Sequence, residues 1–236
     1  MRYEAPSQSI WRGLVLLTLS AFLFATMGVF IRQASLTVNN ETIVFFRNFT
    51  ASIMLLPLVV IHGTGLLKTQ VFHKHLWRGV VGLAAMYGFF YAIAKLPLAS
   101  AMVFTYSSPV FIPLIAWLFL KEKITARMMI AAVLGFSGVL LICRTDMAGM
   151  GFISLVGISA SLLAAMAFVT VRSLSGTEPV IRIVLYFSLI SVTISAVPML
   201  WAWRPLNVEE YAWVIGAGVL ATFSQLAMSR AYSLAP

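Results

Sequence analysis

SAFLFATM at residues 20–27 returns, 139 positions further along the chain, as SASLLAAM at residues 159–166. IVFF at 43–46 likewise returns as IVLY at 183–186. Weaker matches, in the same order, extend the similarity over two longer stretches, residues 14–99 and 152–236. Internal duplication of hydrophobic segments is typical of secondary transporters, in which the substrate site lies between the repeats. The duplication therefore favours transport over covalent chemistry.

The composition indicates a membrane protein. Hydrophobic residues make up 61% of the chain and charged residues 10%, against roughly 45–50% and about 25% in an ordinary soluble domain. The formal net charge is +9, but the basic residues stand singly or in small groups between apolar runs. Such spacing is typical of topology signals, so no nucleic-acid partner is expected. A single cysteine, Cys143, excludes an internal disulfide framework.

Eight stretches contain no Asp, Glu, Lys or Arg and approach or exceed the length of about 20 residues that a spanning helix needs. Two of them have only 16 residues, and the basic residues beside them, Arg78 among them, are expected to snorkel to the membrane surface and lengthen the helix. We therefore predict an all-α polytopic membrane protein with spans at 13–31, 48–67, 79–94, 96–120, 128–143, 147–171, 183–203 and 211–229.

The basic residues also predict the orientation of the chain. With the N-terminus in the cytoplasm, eleven Lys and Arg residues fall in inner segments and four in outer segments. This positive-inside bias predicts that both termini are cytoplasmic. Because five spans precede residue 146, the two copies are expected to be inverted repeats, 11–145 with five spans and 152–236 with three. Roughly 45 residues, the counterpart of 100–143, are absent from the second copy.

Reporter fusions test this map. Fusions after residues 65, 123 and 178 are expected to score as cytoplasmic, and fusions after residues 38, 146 and 206 as external, because the basic residues concentrate on the inner side. The reversed pattern would contradict both the orientation and the inverted repeat.

Four motifs carry a resemblance to a known family: ATMG at 25–28, FFRNFTASIM at 45–54, LPLASAMVFTYSSPVFIPLIAWLFLKEKIT at 96–125 and GFSGVLLI at 135–142. With them the chain resembles the drug/metabolite transporter superfamily, specifically the EamA-type permeases, which are built from two five-helix repeats. The resemblance implies a multi-pass carrier of small organic metabolites in the cell membrane, as in a bacterial inner membrane, and it implies alternating access. Measured against that pattern, the chain is expected to lack the last two helices.

Arg47 is the strongest individual candidate for substrate binding. An ionisable side chain within a span costs about 2.5–3.5 kcal/mol on insertion scales, so it normally faces the bundle interior or water. Three interpretations stay open at this point: an anchor for an anionic group, a snorkelling arginine near the outer interface, and a structural partner of an internal acid. No Asp or Glu lies within a predicted span, so a proton relay through buried carboxylates is not expected.

Further candidates are aromatic and hydroxyl-bearing. Tyr87 and Tyr91 share one face of the third predicted span, and Tyr106 and Ser108 precede the helix-kinking Pro109. We predict that these side chains line the substrate cavity and that Pro109 permits local opening, although packing alone explains them as well. The remaining candidates are Gln225, which faces either the cavity or a neighbouring helix, and Glu122, for which the resemblance implies a structural or gating role and the flanking lysines indicate a solvated loop.

The sequence contains no nucleophile–base arrangement and no metal-ligand spacing, so neither a catalytic site, a metal nor a cofactor is expected. A small-molecule substrate and the lipid bilayer are the expected partners, and a homodimer is possible. Two alternatives to transport remain, a membrane-embedded enzyme and a truncated remnant that no longer transports.

Overall fold

The computed structural model describes residues 9–121, 125–146 and 151–234. Within these residues the regular structure is helical: a short 3-10 helix at Thr64–Leu67 and nine α-helices. The α-helices are α1 (Ile10–Ala34), α2 (Asn40–His62), α3 (Phe72–Lys95), α4 (Leu98–Tyr106), α5 (Ser108–Leu120), α6 (Ala126–Asp146), α7 (Gly151–Ser175), α8 (Val180–Ala202) and α9 (Val208–Leu234).

Seven helical segments of the described chain, with α4 and α5 taken together, are long and apolar enough to cross a membrane. They correspond to seven of the eight predicted spans. The remaining one, 128–143, lies within α6, whose apolar part in the described chain is the shorter Ala126–Gly135. The prediction of an all-α polytopic membrane protein is confirmed, and the inverted relation of the repeats stays a prediction. The expectation that the last two helices are lacking is not supported by these segments.

The chain divides into two compact units. The first unit contains Met1–Val80 and Thr170–Pro236, and the second contains Val81–Val169. Helices α3 and α7 contribute to both units. Each unit draws on both predicted repeats, so the repeat boundaries at 11–145 and 152–236 are not visible as separate bodies and stay predictions.

In the first unit, α1 lies along α9, and α2 packs against both α8 and α9. Ser20 and Ser224 join α1 to α9 through reciprocal hydrogen bonds, each hydroxyl donating to the other residue's carbonyl at 3.0 and 2.9 Å. Such small polar residues let two helices approach closely in a membrane and hold them together. At the start of α2 the Asn39 side chain accepts a hydrogen bond from the Thr42 amide at 3.1 Å and so caps the helix.

In the second unit, the span predicted at 96–120 corresponds to Leu98–Phe119, in which the helix is broken into α4 and α5 at Ser107. Pro109 has no amide proton and sits in the first turn of α5, where this absence does least harm. The Phe104 carbonyl at the end of α4 accepts hydrogen bonds from the hydroxyls of Ser107, at 2.7 Å, and of Ser161 on α7. The Phe104 carbonyl at the break is therefore satisfied inside the protein, as a membrane requires.

Candidate anion-binding site

Arg78 does not lie where the sequence analysis places it. Helix α3 begins at Phe72, so Arg78 is six residues inside the helix, and only 3% of it is exposed. The prediction of a snorkelling flank residue is therefore wrong, because that prediction began the span after the charged residue. Arg78 is a second buried arginine beside Arg47, which is 2% exposed and lies seven residues inside α2. Burial of this degree also argues against the snorkelling interpretation of Arg47.

The two arginines converge on one aromatic ring. Arg78 Cζ lies 3.9 Å from the ring centroid of Phe187 on α8, and Arg47 Cζ lies 5.5 Å from the same centroid. Both distances fall within the range of a cation–π interaction, which is worth about 0.5–2 kcal/mol. Both guanidinium groups therefore lie against one ring, where their like charges act on each other.

Among the described residues, each guanidinium has one neutral hydrogen-bond acceptor. Arg47 Nη1 donates to Asn48 Oδ1 at 2.7 Å, and Arg78 Nη2 donates to Gln225 Oε1 on α9 at 3.2 Å. Arg47 Nε, Arg78 Nε and Arg78 Nη1 are buried and have no acceptor among the described residues. Three N–H donors of two permanent cations therefore lack a hydrogen-bond acceptor in the described part of the chain.

Neither guanidinium forms an ion pair with a carboxylate in the part of the chain that the structure describes, whereas other arginines do. Arg182 binds Glu178, and Arg204 binds Glu210 with Nη2 and Oε1 2.5 Å apart. The hydrogen bond to Glu210 raises the pKa of Arg204, which lies in the loop before α9, above its ordinary value. The contrast shows that this chain pairs arginines with acids at its helix ends and leaves the two buried ones without such a partner.

Unpaired hydroxyl groups lie within a helical turn of the same residues. Ser191 is one turn beyond Phe187 on α8, and Ser229 is one turn beyond Gln225 on α9. Both are fully buried, and their hydroxyls have no hydrogen-bond partner among the described residues. Because more than about 90% of buried polar groups in proteins are bonded, a local group of exceptions calls for water or a ligand.

The depth of the site suits a substrate. At a rise of about 1.5 Å per residue, Arg47 lies about 10 Å from the start of α2 and Arg78 about 9 Å from the start of α3. Consecutive spans cross a membrane in opposite directions, so the two arginines enter from opposite ends of a hydrocarbon layer of about 30 Å. Their long side chains meet at Phe187, between the two membrane surfaces.

The arrangement is chemically suited to holding an anion. A buried cation costs several kcal/mol of hydration unless it is paired, and the π faces and amide oxygens described above compensate for only part of that cost. A carboxylate or phosphate would accept the free donors in charge-assisted, bidentate hydrogen bonds. Phe187, Arg78 and the serines were not predicted from the sequence, whereas Arg47 and Gln225 were.

The other predicted site residues belong to the second unit or lie outside the described residues. Tyr87 and Tyr91 are half-buried on α3, and Ser108 is buried at the start of α5. Pro109 is exposed. The Tyr106 side chain and the whole of Glu122 lie outside what the structure describes, so the predictions for these two residues are not tested. That the tyrosines share a substrate with Arg47 therefore stays a prediction.

Comparison with known proteins gives relatives over almost the whole chain. The pseudopaline exporter of Pseudomonas aeruginosa is 31% identical over 224 residues, which cover 94% of this chain and 78% of the exporter. The riboflavin transporter of Brucella anthropi is 29% identical over 201 residues, which cover 82% of this chain and 70% of that transporter. One crystal structure matches with a TM-score of 0.73 and 16% identity, over 97% of this chain and 82% of that one, and so shares the fold.

The EamA-like transporter family model matches residues 11–144, more than half of the chain. Together with the whole-length similarity to the exporter, this match identifies the family. The chain is therefore a multi-pass membrane protein that transports small molecules, and it belongs to the EamA-like transporter family.

Proposed function

We propose that the chain carries a small organic metabolite with an anionic group, a carboxylate or a phosphate, and that this group binds between Arg47 and Arg78. The observation that carries the proposal is the pair of buried guanidinium groups around Phe187, with three free donors and no carboxylate partner in the described chain. The chain would move this metabolite across the membrane by alternating access and would carry out no covalent chemistry on it.

The supporting argument is one of charge. Two permanent positive charges in the membrane interior are costly, and a chain that only needed to fold would be more stable with neutral side chains there. An intramembrane ionisable residue generally marks a substrate or ion pathway. An arriving anion would accept hydrogen bonds from both guanidinium groups, and these would offset the hydration that the anion loses. The site would therefore select for negative charge.

Phe187 gives the site a second property. Its ring lies against both cations, so in the empty site it partly compensates their charge. A bound anion would compete with the ring for the guanidinium groups and draw their charge toward itself. Binding would therefore weaken the contacts between Arg47 on α2, Arg78 on α3 and the ring on α8, and a carrier needs helices whose contacts differ between the loaded and empty states.

The experiment compares matched ligands in proteoliposomes containing the purified chain. Carboxylates and phosphate monoesters are tested beside the uncharged amides and alcohols of the same carbon skeleton, with radiolabelled uptake as the readout. We expect uptake of charged members only, and we expect Arg47→Gln to remove it. Arg230→Gln, the same change at an exposed position of α9, is the control and should transport normally.

Two results would count against the proposal. Equal uptake of charged and uncharged members would show that the site does not read negative charge. Normal uptake of the charged members by Arg47→Gln would show that the anion binds elsewhere.

A further inference from the structure

His75, one helical turn before Arg78, has an unusual environment for a buried histidine. It precedes Arg78 by three residues on α3, which places both on one face of the helix, and it is 1% exposed. Its ring stacks on Tyr186 of α8, with ring centroids 4.5 Å apart and an interplanar angle of 26°. Helix α3 therefore meets α8 twice, through His75 on Tyr186 and through Arg78 on the adjacent Phe187.

Neither imidazole nitrogen of His75 has a hydrogen-bond partner among the described residues. The stack does not explain this, because Tyr186 directs its hydroxyl away and donates to the Leu67 carbonyl at 2.6 Å. A histidine that served only for packing would be as well replaced by phenylalanine. Two free nitrogens on a buried ring instead leave one site that can accept a proton and one that can donate to a ligand.

The charged groups around His75 are Lys74 and Arg78 on its own helix, Glu178 just before α8 and Arg182 in the first turn of α8. Glu178 and Arg182 form an ion pair with each other, and Lys74 donates to Ser173 at 3.1 Å. The negative charge of Glu178 outweighs the positive charge of Arg182 at the imidazole. Both carboxylate oxygens of Glu178 are nevertheless already hydrogen-bonded, to Thr69 and to Arg182, and neither bonds the ring of His75.

We propose that His75 is a third residue of the anion site and that it binds a proton together with the anion, so that the proton is the second ligand of the site. This inference rests on the proposed function. In the empty site, a protonated His75 would be a buried cation whose ring N–H groups have no acceptor among the described residues, and burial opposes such a charge. A bound anion would supply negative charge and acceptor oxygens, so protonation then becomes more favourable.

Linkage makes the effect reciprocal: if the anion favours protonation, protonation favours the anion by the same factor. Couplings between sites are typically about 5- to 150-fold. Histidine is the side chain whose ordinary titration falls between pH 5 and 8, so the coupling would operate near neutral pH. In a carrier, the result would be movement of the anion and a proton in the same direction.

Sulfate is a suitable probe, because it stays fully ionised between pH 5.5 and 7.5 and so any pH dependence comes from the protein. Its Kd is measured by calorimetry on the purified chain in detergent at both pH values and constant ionic strength. We expect binding about tenfold tighter at pH 5.5. His75→Phe, which keeps a ring for the Tyr186 stack, should bind equally at both values, whereas the exposed control His73→Gln should behave as the unmodified chain.

A second measurement needs no variant and decides the matter if His75→Phe fails to fold. Sulfate binding at pH 6.5 is measured in two buffers of different ionisation enthalpy, and the difference in heat counts the protons taken up. Proton uptake supports the proposal, whereas no uptake overturns it, as does pH dependence that survives in His75→Phe. Failure of the proposed function looks different: sulfate then binds equally well to Arg47→Gln and Arg78→Gln, or to none of the proteins.

Discussion

Arg78→Gln is expected to make the folded protein more heat-resistant while abolishing uptake of anionic substrates. The two effects have one cause. The unmodified guanidinium is 3% exposed, has two nitrogens without an acceptor in the described chain and lies near the like charge of Arg47. A neutral amide removes the repulsion and the uncompensated charge, but it also removes half of the charge that attracts the substrate.

The expected changes in Tm and in substrate affinity follow from the typical energies of buried charges. A charge within a span costs about 2.5–3.5 kcal/mol on insertion scales, and removing part of that cost should raise the Tm by a few degrees. Loss of one partner of a buried charged hydrogen bond costs about 2–5 kcal/mol of binding, which corresponds to a loss of roughly 30-fold to several thousand-fold in affinity. Arg78→Lys should fall between the two proteins, because it keeps the charge without the planar fork.

Thermal unfolding and substrate uptake measured on the same preparation test this expectation, with Arg230→Gln as the exposed control. A lower Tm together with reduced uptake would mean that Arg78 holds the fold together, and it would contradict the site. Uptake that is unchanged, whatever the Tm, would remove Arg78 from the substrate pathway.

Much of the fold was predictable because the bilayer imposes a simple rule on the sequence. Seven of the eight predicted spans correspond to helical segments that could cross a membrane. The same rule, that a span contains no charged residue, also places a charged residue of the site outside its span. A run ends wherever a charged residue occurs, so the third predicted span begins at residue 79 and Arg78 is expected to flank it at the membrane surface. The criterion that locates the helix therefore leaves Arg78, one of the two charges of the proposed site, out of the predicted span.

One signal in the sequence could have found Arg78. His75 and Arg78 are three residues apart, so they share a helix face, and Gly79 and Gly82 follow within the next turn. A helix extended back to Phe72 would therefore have placed two titratable groups on one face inside a span. Only the structure shows that this face is buried.

The repeat contained a second signal. Extending the alignment of IVFF with IVLY by one residue sets Arg47 opposite Phe187, the residue whose ring the Arg47 guanidinium approaches at 5.5 Å. The break at Ser107 was only half predicted. Pro109 indicated a kink, but the separation into α4 and α5 depends on Ser161 of a distant helix, which bonds the Phe104 carbonyl. A contact between residues 57 positions apart is not written in local sequence.

Gly218→Val is expected to destabilise the protein more than any other single change proposed above. Helices α2 and α9 cross at this glycine, and a Cβ atom there would lie 2.5 Å from Thr50 Cβ and 3.0 Å from its Cγ2 and Oγ1. Thr50 cannot turn away, because its Cβ is fixed to the backbone of α2. The two helices would have to separate, and overpacking of a tight core costs about 1–3 kcal/mol or more. The readout is the Tm of the purified chain.

The identity of the clashing atom permits a sharper test with Gly218→Ala. Adding Thr50→Gly removes the opposing Cβ and should restore much of the lost stability, less about 1 kcal/mol for a helical glycine. Adding Thr50→Ala keeps that Cβ and should restore little. Gly138→Ala, at a helical glycine with open space around it, is the control and should leave the Tm unchanged or slightly raised. Equal rescue by Thr50→Gly and Thr50→Ala would show that the clash lies elsewhere.

Because Arg47 is one turn before Thr50 and Gln225 two turns after Gly218, Gly218→Ala should also weaken anion uptake by displacing the arginine pair from its partners.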